Sequence, residues 1–277
     1  SSRRESIGWR RPGVGVRRLI RDRMPHRRDA RIDRQTHRDM APPSARATPT
    51  PNARTGKADR TMIDTHCHLT FKQLAGDVDG VIERAEQAGV RGMITVAVTP
   101  TNCEASLELA GSRPNVWCTA GMHPLYADEP RDWETIRRVA EHERCVAFGE
   151  LGLDNHYDKP PRELQREVLD EQLEVVCSAY SEGLEKPIVL HCRDAFADLI
   201  PILRETGIDP GRFVFHCFTA GPDEARMVLD FGAWISFTGV VTFRNAPEVG
   251  EAARLVPADR IMVETDAPYL SPEPMRK

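Results

Sequence analysis

The stretch MIDTHCHLTF, residues 62–71, decides the reading of the fold. It opens on a short apolar run and then sets two imidazoles one residue apart, at His66 and His68. Side chains alternate faces along a strand, so these two rings point one way and Cys67 points the other. That is how neighbouring side chains reach one metal ion. A surface strand also carries histidines, so the rest of the chain has to decide.

From Met62 onward, short β-branched and apolar runs alternate with longer amphipathic stretches. The expected strands are 62–66, 93–98, 116–121, 145–150, 187–191, 212–216, 233–237 and 260–264. Helix-like segments lie between them, near 78–89, 101–112, 131–143, 161–183, 194–206, 222–231 and 245–255. In the longest, Pro161 suits the first turn, Leu164, Val168, Val175 and Ala179 are spaced to line one face, and Gly183 ends it. Strict alternation of strand and helix implies a parallel sheet with right-handed crossovers. The fold class expected is α/β, a (β/α)8 barrel of the triosephosphate isomerase type. An open doubly wound sheet would carry a Gly-rich turn after its first strand, where this chain has His-Cys-His.

Polar residues then gather at strand ends. His66 and His68 close the first strand, Glu150 the fourth, His191 the fifth and His216 the sixth, and Asp266 follows the eighth. Barrel enzymes of this type build their sites at the C-terminal mouth, so these six residues would converge in space. A lone strand-end histidine has an innocent reading as a half-buried polar side chain, and Asp266 before Ala-Pro could cap a turn. Six such residues at one end of five strands are poorly explained that way. Four imidazoles and two carboxylates are too many for one tetrahedral ion but suit two divalent ions sharing a bridging carboxylate. The His-Cys pairs at 66–67, 191–192 and 216–217 fit, each His facing the axis and each Cys the helix layer.

Composition sets the outer limits. With 277 residues, 40% hydrophobic and 29% charged, the chain can bury a full core. No apolar run reaches the roughly 18–20 residues needed to span a bilayer. Seven cysteines, without a C-x-x-C pair, read as buried thiols of a cytoplasmic protein. The net charge of −4 is unevenly spread. Residues 1–61 hold 17 Lys and Arg against 6 Asp and Glu, a net of +11, which leaves 21 basic against 36 acidic residues, a net of −15, for the rest.

The first segment lacks hydrophobic periodicity and ends in a Pro/Ala/Thr-rich run, so disorder is expected over 1–61. It has three readings. It is a nucleic-acid-binding arm, a targeting peptide, or sequence upstream of a true start at Met62. The targeting reading fails because no apolar stretch follows the Arg-Arg pairs. The start at Met62 is preferred because an interpretable strand begins there.

Taken in order, MIDTHCHL, AGMHP, GELGLD, QREVLDEQL, HCRDA, HCFTAG, GAWISFTGVVTFRN and ETDAPYLSP resemble the TatD family of metal-dependent deoxyribonucleases, within the amidohydrolase-like barrels. The resemblance runs from Met62 to the last residue. It implies that His66, His68, Glu150 and Asp266 hold one metal and Glu150, His191 and His216 the other, with Glu150 as the bridge. It implies Mg²⁺, whereas four nitrogen ligands physically favour Zn²⁺ or Mn²⁺. Two clustered ions would polarise a phosphoryl oxygen and activate water, with Asp266 as general base. His123, Arg193 and Arg244 are the candidates to hold substrate phosphates.

The expected partner is DNA. A region at −15 is a poor groove binder of duplex, which favours a single strand or strand end stacked on loop aromatics such as Phe218, Phe243 or Tyr269, side chains that have an equal reading as core. Two alternatives stay open: a hydrolase of a small amide, lactone or phosphoester on the same barrel, and a non-enzymatic chain binding nucleic acid through residues 1–61. The sequence fixes no oligomeric state. It departs from the family at GLDNHY, where the family reads GLDYY, and at its end, where the family continues with a basic segment and a helix. The chain is therefore expected to be a fragment lacking the eighth helix, with Ile63, Ile261 and Val263 open to water.

Overall fold

A computed structural model describes residues 62–276. The expectations for residues 1–61 lie outside the described residues. Eight strands form one parallel sheet in chain order: β1 (Met62–Cys67), β2 (Val90–Thr95), β3 (Val116–Ala120), β4 (Cys145–Asp154), β5 (Ile188–Arg193), β6 (Phe213–Phe215), β7 (Trp234–Phe237) and β8 (Ile261–Val263). Among the described residues, the crossovers carry α1 (Val78–Gln87), α2 (Pro100–Ser112), α3 (Trp133–Glu141), α4 (Arg162–Ser181), α5 (Phe196–Glu205), α6 (Pro222–Phe231) and α7 (Pro247–Leu255). The (β/α)8 barrel is nearly closed. β1 and β8 meet through an isolated parallel bridge, Cys67 to Ala267, with no regular ladder between them.

Local chemistry sets the helix ends. At α2 the Thr99 side chain accepts from Asn102 N–H, with Pro100 in the first turn, and at α3 the Asp132 side chain accepts from Thr135 N–H. α6 stops where Gly232 takes φ 99°, a left-handed cap that a glycine adopts without strain. Between strands and helices lies a core that includes Met93, Phe148, Leu151, Ile188, Leu190, Phe213 and Phe215, all fully buried.

Two expectations need correction. The buried face of α4 is Gln165, Val168, Leu169, Gln172, Leu173, Val176 and Ala179, with Leu164 and Val175 only half-buried. The helix is turned because two glutamines face inward and satisfy backbone groups. Gln172 bridges Met122 N–H and C=O, and Gln165 does the same for Asp154 while also donating to Pro160 C=O. Second, β4 does not end at Glu150 but runs on to Asp154. Its pairing with β5 slips between Phe148 and Leu151, where Gly149 and Gly152 take φ 124° and 146°. A Cβ on Gly152 would stand 1.9 Å from His191 O, so only glycine allows this approach.

No helix follows β8 among the described residues, and Ile63 and Val263 are 50% and 60% exposed, with Ile261 half-buried. No described helix is long and apolar enough to cross a membrane. The described cysteines are all free; Cys67 and Cys192 belong to the core as expected, whereas Cys217, half-buried with φ 46°, does not.

Candidate metal centre

β1 delivers His66 and His68 to the C-terminal mouth with both Nε2 atoms inward, 3.3 Å apart. The His68 ring is fixed by Nδ1–H donating to Val96 C=O at 3.0 Å, which leaves a lone pair on Nε2. Asp266 reaches the same place from the turn after β8. Its Oδ1 lies 3.3 Å from His68 Nε2 and 3.8 Å from His66 Nε2. The turn is tied to β1 by Asp266 N–H donating to His66 C=O (2.9 Å) and His68 N–H donating to Ala267 C=O (2.7 Å). Asp64 clamps it from below, accepting from the Thr265 N–H and hydroxyl. Asp266 has φ 57°, an uncommon backbone for a non-glycine, which suits an acidic residue and turns its carboxylate inward.

Glu150 occupies the centre. Its Oε2 lies 3.3 Å from His66 Nε2, and its Oε1 lies 2.5 Å from His216 Nε2, 3.0 Å from His191 Nδ1 and 3.3 Å from His123 Nε2. Burial alone would raise its pKa, but His216, His123 and His66 outweigh burial and hold it well below the carboxylate range. The same opposition acts on His216. Burial would lower it, yet Glu150 and Glu264 hold it well above the usual imidazole value.

Two further buried carboxylates that the sequence reading left out stand behind these rings, and one of them, Asp154, orients its ring. Asp154 Oδ2 accepts from His191 Nε2–H at 2.9 Å, which presents the Nδ1 lone pair to the centre, while Oδ1 accepts from the N–H groups of His156 and Tyr157. Glu264 Oε1 faces His216 Nδ1 at 3.4 Å without a well-directed hydrogen bond, and the carboxylate is held by Cys217 N–H and the Ser236 hydroxyl. The available signals were the spacing Glu-x-x-x-Asp in GELGLD and the acidic pair two apart in ETD.

The five other expected ligands therefore gather about Glu150, Asp266 through His66 and His68. Three sets of donors lie within 4.8 Å of one another: His66, His216 and Asp266; His66, His68 and Glu150; and His123, Glu150 and His191. The chemistry of the donors fits a cation. The lone pair that the Val96 contact leaves on His68 Nε2 points at Asp266 Oδ1, 3.3 Å away, an arrangement that repels unless positive charge sits between them. His123 differs from the other rings. Leu125 N–H donates to its Nδ1 at 3.0 Å, so Nε2 carries the hydrogen and donates toward Glu150 or His191. Burial pushes its pKa down to about 4, helped by His191 and His216, so it is a neutral donor.

Of the other expected contacts, Arg193 stands at the mouth with its guanidinium 5.1 Å from the centre of the Tyr157 ring. Arg244 is exposed on the segment after β7. His156 is exposed and pairs with Asp194 at 3.3 Å. Phe218 and Phe243 are buried in the core and cannot stack on a ligand, whereas Tyr269 is 47% exposed.

A parallel barrel with imidazoles and carboxylates converging at its C-terminal mouth defines a metal-dependent hydrolase. The sequence pattern of the family described as TatD related DNase matches residues 63–277, and the chain belongs to this TatD family. It is 41% identical over 218 residues to the metal-dependent hydrolase YcfH of Escherichia coli (strain K12), covering 78% of this chain and 80% of that protein. It is 38% identical over 222 residues to the 3'-5' ssDNA/RNA exonuclease TatD of Pantoea vagans (strain C9-1), covering 78% and 82%. Among solved structures, YjjV, a TatD homologue from Escherichia coli K12, matches with a TM-score of 0.70 at 30% identity, covering 77% of this chain and 82% of that one.

Proposed function

We propose that this metal-dependent hydrolase cleaves phosphodiester bonds at the unpaired ends of nucleic acid strands, DNA foremost, using two divalent cations. The observation that carries the reading is the placement of Glu150. Its Oε2 faces His66 and its Oε1 faces His191 and His216, so its two oxygens serve two separate groups of imidazoles. His66, His68, Glu150 and Asp266 would hold one cation, and Glu150, His191 and His216 the other. When bound, the pair supplies Lewis-acid polarisation of the phosphoryl oxygen and lowers the pKa of the attacking water.

The residues do the rest. Asp266, only 14% exposed and turned inward, takes the proton of the attacking water as general base. His123 donates its Nε2–H to a phosphate oxygen, a role that its Leu125 contact supports and that a ligand could not fill while keeping that contact. Arg193 at the mouth takes a neighbouring phosphate, with Arg244 as a further cationic contact. Relatives named as single-stranded DNA and RNA exonucleases support a strand end as substrate, as does the acidic charge of residues 62–277.

A substrate panel tests the proposal. Single-stranded oligonucleotides, blunt duplexes, p-nitrophenyl phosphoesters and amide substrates are each incubated with Mg²⁺, Mn²⁺ or Zn²⁺. Stepwise release of nucleotides from single strands is expected. Turnover of amides alone would reject the phosphodiester assignment.

A further inference from the structure

Two of the exposed large hydrophobic side chains among the described residues are aromatic, Tyr157 and Tyr269, each 47% exposed. Both stand at the mouth that holds the metal centre, and they stand on opposite lips. Tyr157 follows β4 beside β5, and Tyr269 follows β8 beside β1; in a barrel whose strands run in order from β1 to β8, those two seams face each other across the axis.

Each ring is built into a small platform tied to the site. Tyr269 N–H donates to Asp266 C=O at 2.9 Å, its hydroxyl accepts from Gln73 at 3.3 Å, and Phe71 meets its ring edge-on at 6.3 Å. Phe71 in turn stacks on His68, with centroids 4.4 Å apart and planes 15° from parallel. On the other lip, Tyr157 N–H donates to the Asp154 carboxylate that holds His191, and Arg193 lies over the Tyr157 ring while its Nη1 reaches the phenol oxygen at 3.3 Å. Aromatic rings left open beside a phosphate site, one carrying a guanidinium, are the elements with which proteins hold unpaired bases.

Resting on the phosphodiesterase reading above, we infer that Tyr269 with Phe71, and Tyr157 with Arg193, are two stacking platforms that hold the bases flanking the scissile phosphate. Paired bases cannot splay onto both lips, so the platforms select single-stranded ends and reject blunt duplex. Because every base has an aromatic face, the selection is for unpaired bases of any sequence.

The test uses metal-loaded protein and a fluorescein-labelled phosphorothioate oligothymidylate, with binding read by anisotropy. The same oligonucleotide carrying abasic residues at its terminal positions, in separate versions for the 3′ and 5′ ends, is the comparison. For the wild type, each lost base at the bound end is expected to weaken binding roughly 5- to 150-fold. Tyr269→Ala and Tyr157→Ala are each expected to weaken binding of the intact oligonucleotide and to shrink the abasic penalty, with the change on the natural strand falling in KM more than in kcat. Tyr157→Leu and Tyr269→Leu serve if an alanine variant fails to fold, and bound metal by elemental analysis is expected to match the wild type.

An undiminished abasic penalty in the variants, or none in the wild type, overturns the platforms while leaving phosphodiester hydrolysis standing. A wild type that turns over p-nitrophenyl phosphoesters yet neither binds nor cuts any oligonucleotide overturns both readings.

Discussion

Asp154→Asn separates the orientation of a ligand from its presence. In the wild type one carboxylate oxygen accepts from His191 Nε2–H at 2.9 Å and the other from the N–H groups of His156 and Tyr157 at 2.9 and 3.1 Å. Asparagine keeps the shape and can still accept the two backbone groups through its oxygen. Its amide nitrogen then faces His191 and can only donate, so Nε2 must accept and the ring proton moves to Nδ1. That proton points at Glu150 Oε1, 3.0 Å away, where the lone pair of a ligand is needed. Losing a partner that fixes a ligand's tautomer typically costs 10- to 100-fold in metal affinity, or about 1.4–2.7 kcal/mol.

Competition titration with a fluorescent chelator measures that affinity, and ring ¹⁵N shifts of His191 report the tautomer directly. Asp154→Ala is expected to lose the loop anchors as well and to unfold earlier in urea. Metal affinity within about twofold of wild type in Asp154→Asn, with His191 still protonated at Nε2, would refute the reasoning.

Glu150→Ala is expected to abolish hydrolysis and lower the affinity for both cations, whereas His123→Ala should retain the metal content and lose turnover; elemental analysis beside a nuclease assay checks both. Gly152→Ala places a methyl against His191 O in a backbone region foreign to alanine, and a loss of about 3 kcal/mol or more is expected in urea unfolding. Removing the metal with a chelator should lower the unfolding free energy by about 4 kcal/mol if the cation had been present at 1,000 times its Kd, and should speed hydrogen exchange at the His68 and Asp266 amides. An unchanged exchange rate there would show that the cations do not bear on the seam.

The barrel was legible because eight apolar runs at strand length alternate with helix-length segments, and the ligands because each sits where such a run stops. Grouping was less so. Which imidazole faces which oxygen depends on ring partners such as Val96 C=O and Leu125 N–H, which lie far from any motif logic. Asp154 was hidden because the end of a strand was read from its apolar residues, while β4 continues through a slip in register that two glycines permit. A loop position does not reveal its depth, so Phe218 and Phe243 read equally as stacking surfaces or as core; both pack inward. The inward glutamines of α4 break the simple apolar stripe for the same reason, since their partners are backbone groups that no periodicity marks.

The site and the closure of the barrel are one piece of structure. β8 is three residues long and leaves the sheet before it can ladder onto β1, so the seam depends on the turn 264–267. Asp64 takes the place of missing ladder partners by binding Thr265, and the backbone of His66 and His68 bonds to Asp266 and Ala267. Those four residues include three of the proposed metal ligands. The residues that would hold one cation, His66, His68, Glu150 and Asp266, come from β1, β4 and the turn after β8, so binding there would tie the seam to the far side of the barrel. A regular β1–β8 ladder would close the barrel without metal but would keep residue 266 extended, whereas the left-handed turn at φ 57° aims its carboxylate at the two imidazoles. The irregular seam is thus what brings the third ligand into reach.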